Sequence, residues 1–211
     1  MDIVNKPGYT PAMKPVRTRL QPADRRAQLL HHAIACFAEH GVARATQAQV
    51  AARAGVSVSA VYSYFRTRAD LVAAVLAAVE TAIVAMVEGV AASPGSARQV
   101  LTDLARQTAG MAADEPDLVR VWLDWSAGVR SETWPQFLLL QCRLHGLVAA
   151  ILARNPGADP ASPRLASAAR LFVGGANTLA LMRFEQVGAA ELDLFLDQMV
   201  TGTLAALAPP A

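Results

Sequence analysis

Aromatic residues are scarce in this 211-residue chain, at 6%, and charged residues reach only 17%. Cysteine is nearly absent. Cys36 and Cys142 stand far apart, which excludes a disulfide scaffold and any CxxC metal knuckle. They are expected to be buried thiols in a reducing cytoplasm. The histidines are His31, His32, His40 and His145, and none belongs to an HExxH pair, so no metal is expected. A glycine-rich phosphate loop is also missing, as is a nucleophile with a converging acid or base. Asp114, Asp124 and Glu132 read as solvated charges or helix N-terminal residues. The expectation is a protein that is not an enzyme and carries no cofactor. The longest uncharged stretch, Gln198 to Ala211, falls short of the ~18 apolar residues of a membrane span. The first 22 residues have no apolar run of the kind a secretory leader needs, and a cytoplasmic protein is expected.

What the chain does have is apolar helix formers. Hydrophobic residues make up 54%, enough for a sizeable core, and Ala and Leu lead among them. An all-α protein follows. Its charge is uneven. Residues 1–70 carry ten Lys and Arg against four acids, while the remainder carries nine against thirteen. A basic head on an acidic body suits a polyanionic partner, although a solvated arginine-rich surface would have the same count.

Three segments divide the chain. Residues 1–21 contain Pro7, Pro11 and Pro15 and no apolar period, and are expected to form a flexible basic arm. Residues 22–68 hold three short helical patterns. The first runs from Pro22 to a stop at Gly41, with Leu29, Leu30, Ala33, Ile34, Phe37 and Ala38 on one face. The second opens at Thr46 with Gln49 three residues on, a capping-box spacing, and ends at Gly55. Ser57 then caps a third. Thr67 and Asp70 repeat the capping pattern at the start of a helix of roughly 22 residues, about 33 Å long. Residues 69–211 continue as helices near 97–112, 115–130, 133–154, 163–185 and 189–207.

The stretch 46–65, TQAQVAARAGVSVSAVYSYF, has the anatomy of a helix-turn-helix. Ala51 and Ala54 allow a close crossing, and Val56 and Val61 fill the angle. Ser57, Ser59, Ala60 and Ser63 are expected outward, small enough for a major groove, with Tyr62, Tyr64 and Arg68 reaching phosphates. Thr46 and Gln47, at the start of the first motif helix, join this candidate DNA-contacting set. A plain helical corner is the alternative.

Residues 25–80 resemble the DNA-binding head of TetR-type transcription regulators. That resemblance implies a three-helix head and a helical body that dimerises and often binds a small molecule. RTRL at 17–20, SVSAVYSYFRTRADLV at 57–72 and VWLDWSAGVRSETWPQF at 121–137 resemble the LuxR/HapR/SmcR group of quorum-sensing regulators within that family. From this narrower resemblance, Arg17 and Arg19 would enter a minor groove. It also implies a body pocket lined by Trp122, Phe137, Gln141 and Ala176. Gln141 stands where the group has asparagine, Ala176 where it has cysteine, and Ser63 where it has asparagine. A local ligand-responsive repressor is the alternative within the family, and a helical small-molecule-binding protein without a DNA role is the alternative outside it.

All three tryptophans, Trp122, Trp125 and Trp134, fall in that last segment. Packing and a pocket wall are both open for the cluster, with Trp134 expected as buried packing. Gly174 and Gly175 lie inside a helical pattern, where each costs ~1 kcal/mol against Ala. Close approach between helices would justify them, and helices 163–185 and 189–207 resemble the pair that builds the family's dimer. A double-stranded operator, a second copy of the chain and a small apolar ligand are therefore the expected partners, and no membrane.

Overall fold

The computed structural model describes residues 21–208. These form nine α-helices and no strand: α1 (Pro22–His40), α2 (Gln47–Ala54), α3 (Val58–Tyr62), α4 (Arg68–Ala91), α5 (Ala97–Asp114), α6 (Pro116–Ala127), α7 (Trp134–Leu152), α8 (Pro163–Phe184) and α9 (Ala189–Ala205). Arg17 and Arg19 lie outside the described residues.

Local chemistry sets the helix starts. Pro22, Pro116 and Pro163 occupy first-turn positions, where the missing N–H has no intrahelical partner to lose. Thr46, Thr67 and Ser96 each accept the N–H of a residue three further on, and Gln49, Asp70 and Gln99 accept the cap's own N–H in return. Each such cap contributes ~1 kcal/mol. Gly55 ends α2 in the left-handed region, at φ 65° and ψ 34°. A side chain there would be strained, so glycine makes the sharp turn into α3 possible.

One contiguous apolar cluster runs from Leu29 in α1 to Val200 in α9. α4 is its axis. Leu71, Val75, Leu76 and Val79 face the core near the head, and Ile83, Val84, Val87 and Val90 face it further along the body. Because α4 belongs to both ends, head and body share a core rather than a linker. α1 also packs on α6, α5 packs on α8 and α9, and α7 packs on α8.

Four expectations need correction. α4, α7 and α8 are long and apolar enough, by length and composition, to cross a membrane, with mean hydropathies of 2.1, 1.3 and 1.3 over their best stretches. Counting uncharged runs missed them because isolated charges such as Glu80 and Glu88 interrupt α4. In the fold, the valines and leucines of α4 are buried against neighbouring helices. Cys142 is exposed on α7, and only Cys36 is buried. Trp134 is half-buried, while Trp125 is only 1% exposed. Gly175 faces its own chain. A β-carbon there would overlap Cγ and Sδ of Met199 on α9, so this glycine allows α8 to approach α9 within one subunit. Gly174, by contrast, borders open space.

Candidate nucleic-acid interface and body cavity

α2 and α3 meet at the Gly55 turn, closed by the buried side chains of Val50, Ala51 and Val61. Val56 and Ala54 pack partly against them. α3 therefore turns one face into the head and one to solvent. The outer face carries Ser57, Val58, Ser59, Tyr62 and Ser63, while Ala60 and Tyr64 are half-buried at its margins. Val58 is 42% exposed and Tyr62 47%.

The serines are less free than their exposure suggests. Ser57 Oγ accepts the Ala60 N–H at 3.2 Å and shares a 2.9 Å bond with Ser59 Oγ. Ser63 Oγ donates to the Ser59 carbonyl at 3.0 Å. Two of these three hydroxyl protons are thus used within α3 itself. Thr46 is similarly engaged, its hydroxyl donating to Gln49 Oε1 at 2.9 Å.

Two members of the candidate set take other roles. Gln47 is 5% exposed, and its amide donates to the Phe65 carbonyl at 2.7 Å. Its side chain ties α2 to the end of the motif and does not face a groove. Arg68 donates from Nε to the Ala45 carbonyl at 3.0 Å and from a terminal nitrogen to the Val42 carbonyl. Its guanidinium anchors the loop between α1 and α2 before it can serve a phosphate. Other arginines surround the head. Arg26 lies over the Phe65 ring at 5.2 Å, Arg53 pairs with Glu39 at 3.1 Å, and Arg44 donates to the His40 carbonyl at 3.1 Å. Within α1, burial lowers the His32 pKa, helped by the charges of His31 and Arg53, and burial raises that of Cys36 against the opposing charge of Arg53. A thiol held protonated in this way is a packing group rather than a nucleophile.

The loop that Arg68 anchors is also held from the body. Asp124 on α6 accepts the Val42 N–H at 2.7 Å. Two residues earlier on the same helix, Trp122 Nε1 donates to Asn177 Oδ1 on α8 at 2.9 Å. α6 therefore touches the head with one side chain and the body's interior with another.

That interior contains a small cavity between α4, α5, α6, α7 and α8, with a volume of ≈ 70 Å³. Met86, Met111, Trp122, Phe172, Ala176 and Asn177 are among its walls. No Lys, Arg, Asp or Glu lines it among the described residues. Two of the four expected pocket residues, Trp122 and Ala176, are there; Phe137 and Gln141 are not. Phe137 is instead the hub of the aromatic cluster, with the rings of Trp122, Trp125 and Trp134 centred 5.2, 5.4 and 5.1 Å from its own. Gln141 is half-buried on α7, away from the cavity wall. The amide of the cavity is Asn177, and a hydroxyl, Thr108, stands with it. Sequence reading missed both, although Asn177 lies four residues after Val173 and three before Ala180, a spacing that shares their inward face. It also missed Asp124, which the spacing from Trp122 alone could not connect to a loop 82 residues away.

Residues 29–75 match the TetR N-terminal family, described as bacterial regulatory proteins, tetR family. The HTH-type transcriptional regulator LuxR of Vibrio harveyi is 34% identical over 122 residues, covering 58% of this chain and 60% of that protein. The chain thus spans less than two thirds of the length of this curated relative. Among solved structures, a TetR-like transcriptional regulator from Rhodococcus sp. RHA1 superposes with a TM-score of 0.73 at 19% identity, covering 89% of this chain and 99% of the other. The transcriptional regulator FadR of Bacillus subtilis, solved with stearoyl-CoA, gives 0.65 at 18% identity, covering 83% and 98%. At these identities the structures establish a shared fold.

Proposed function

We propose that this chain, a TetR-type regulator by its N-terminal domain and its all-α fold, acts as a homodimer that binds a two-fold-related DNA operator and controls transcription. The observation that carries the reading is the capped α2–turn–α3 unit, whose outer face is solvent-exposed on a basic head. α3 would enter a major groove. Arg17 and Arg19 would add a minor-groove grip, and Ser57, Ser59, Tyr62 and Ser63 form the candidate protein surface. A function on DNA also makes the cytoplasm its place of work. Selection of duplexes from a random pool by the full-length protein tests this directly. A recurring pseudo-palindrome is expected, with affinity that falls steeply as salt rises, because phosphate contacts release counterions. Failure to enrich any duplex, or an affinity that ignores salt, would count against it.

The second copy is assigned to α8 and α9. Leu171, Gly174 and Thr178 on α8 line an exposed groove with Phe195, Gln198 and Gly202 on α9. Small and apolar residues of this kind suit helix-on-helix packing between subunits.

A small, mainly apolar ligand fits the chemistry of the walls described above, apolar side chains with one amide and one hydroxyl. At ≈ 70 Å³ the cavity has to widen to admit anything larger than a few atoms. Asp124 gives such a ligand a route to the head, because α6 is both a cavity wall and a head contact. The ligand acts only by favouring one head arrangement over another. The similarity to LuxR favours a quorum-sensing regulator, and mapping the bound genomic sites together with their response to cell density tests that finer assignment.

A further inference from the structure

We propose that α3 reads thymine methyl groups, and that Val58 is the residue against which one of them packs. This rests on the DNA-binding reading above and adds the chemistry by which the recognition surface selects its bases.

α3 lacks the usual base-reading side chains. Residues 57–63 are SVSAVYS, without Arg, Lys, Asn, Gln, Asp or Glu. Those are the side chains that make paired hydrogen bonds to guanine and adenine or accept from cytosine in the major groove. Serine could substitute, but the serines here are largely committed. Ser57 caps the helix and shares its bond with Ser59, and Ser63 donates back to the Ser59 carbonyl. Apart from one serine proton and the Tyr62 hydroxyl, what remains outward and unspent is apolar surface. Val58 and Tyr62 stand one turn apart on the same face, 42% and 47% exposed, while Val61 between them is fully buried. The serines flanking Val58 are small, so its two methyl groups are not shielded. Thymine alone among the four bases presents a methyl group in the major groove. A surface whose free chemistry is apolar matches that group, and the basic residues around it hold the phosphates without choosing a sequence.

Removing a single methyl from the DNA tests this. An operator enriched from random duplexes is resynthesised with deoxyuridine in place of thymidine, one position at a time. Deoxyuridine pairs as thymidine does and leaves the minor groove unchanged, so contacts from the basic arm do not respond. At one or more positions in each half-site, affinity should fall about fourfold for the lost methyl, the effect of exposing one methyl-sized contact. Val58→Ala, at an exposed position, should keep the wild-type melting temperature and bind the thymine operator more weakly. At the Val58 position it should no longer distinguish thymidine from deoxyuridine, so the two losses do not add. If full deoxyuridine replacement leaves affinity unchanged, or Val58→Ala keeps every deoxyuridine penalty, the inference is overturned while the DNA-binding reading stands. If no duplex is enriched at all, that reading falls and this inference with it.

Discussion

Phe137 touches all three tryptophans, yet the three rings have different jobs. Trp125 is fully buried, and its Nε1 donates to the Thr133 carbonyl at 3.2 Å. Trp122 packs Phe137 on one side and borders the cavity on the other, with its N–H held by Asn177. Trp134 stacks on Phe137 from a half-buried position. Truncation should follow this order. Trp125→Ala is expected to cost ~3–5 kcal/mol, as for other large buried rings, and Trp134→Ala clearly less. Urea unfolding of the two variants checks the ranking, and an equal loss would mean that exposure does not set it. Histidine ionisation also belongs to this scale. Burial lowers the pKa of His145, assisted by Arg170, and that of His32 as described above. Both titrate below the ordinary 6.5 when folded, so the unfolded chain takes up protons first. Their contribution is complete above pH 6.5 and is lost as pH falls through that value towards the lowered folded values. Melting temperature should therefore drop on acidification through this window, and less steeply in His145→Gln.

At the scale of elements, Gly175 fixes how closely α8 lies on α9. Gly175→Ala should force Met199 to move and lower stability, and Met199→Ala should open a cavity and do the same. Together they should cost less than their sum, because the smaller residue at 199 makes room for the new methyl. A double-mutant cycle by thermal melting measures the coupling, and strict additivity would show that the contact is not limiting. The helices themselves were legible in the sequence because their caps are local: Thr46 with Gln49, Thr67 with Asp70, and Gly55 at its turn are each decided within a few residues. The sites were less so. Gln47 reads as a polar residue at the head of a DNA-binding motif, but a carbonyl 18 residues away makes it a buried strut. The cavity wall was half legible. Which rings and amides face it depends on how five helices cross, and periodicity along any one of them leaves that undecided, so Gln141 was expected where Asn177 stands.

At the scale of the whole molecule, stability and assembly separate. α8 and α9 face the core with Phe172, Leu179, Leu196 and Val200, and face outward with Leu171, at 52% exposure, and Leu194, at 57%. On the proposed dimer, a charge at one of these outward positions should leave the fold intact and act on pairing. Leu171→Glu should yield monomers by light scattering and weaken operator binding, since a single head reaches only one half-site. A persistent dimer would put the interface on another face. The hold of Asp124 on the α1–α2 loop has a consequence in time. The Val42 N–H belongs to no helix, and Asp124 is its acceptor. Its exchange with deuterated solvent therefore reports release of the head from α6 wherever that opening is more frequent than unfolding of either part. One amide becomes a clock for the contact. An occupant of the cavity that displaces α6 should quicken exchange at Val42 while leaving the amides of α5 and α9 at their former rates, before any DNA is present to be released.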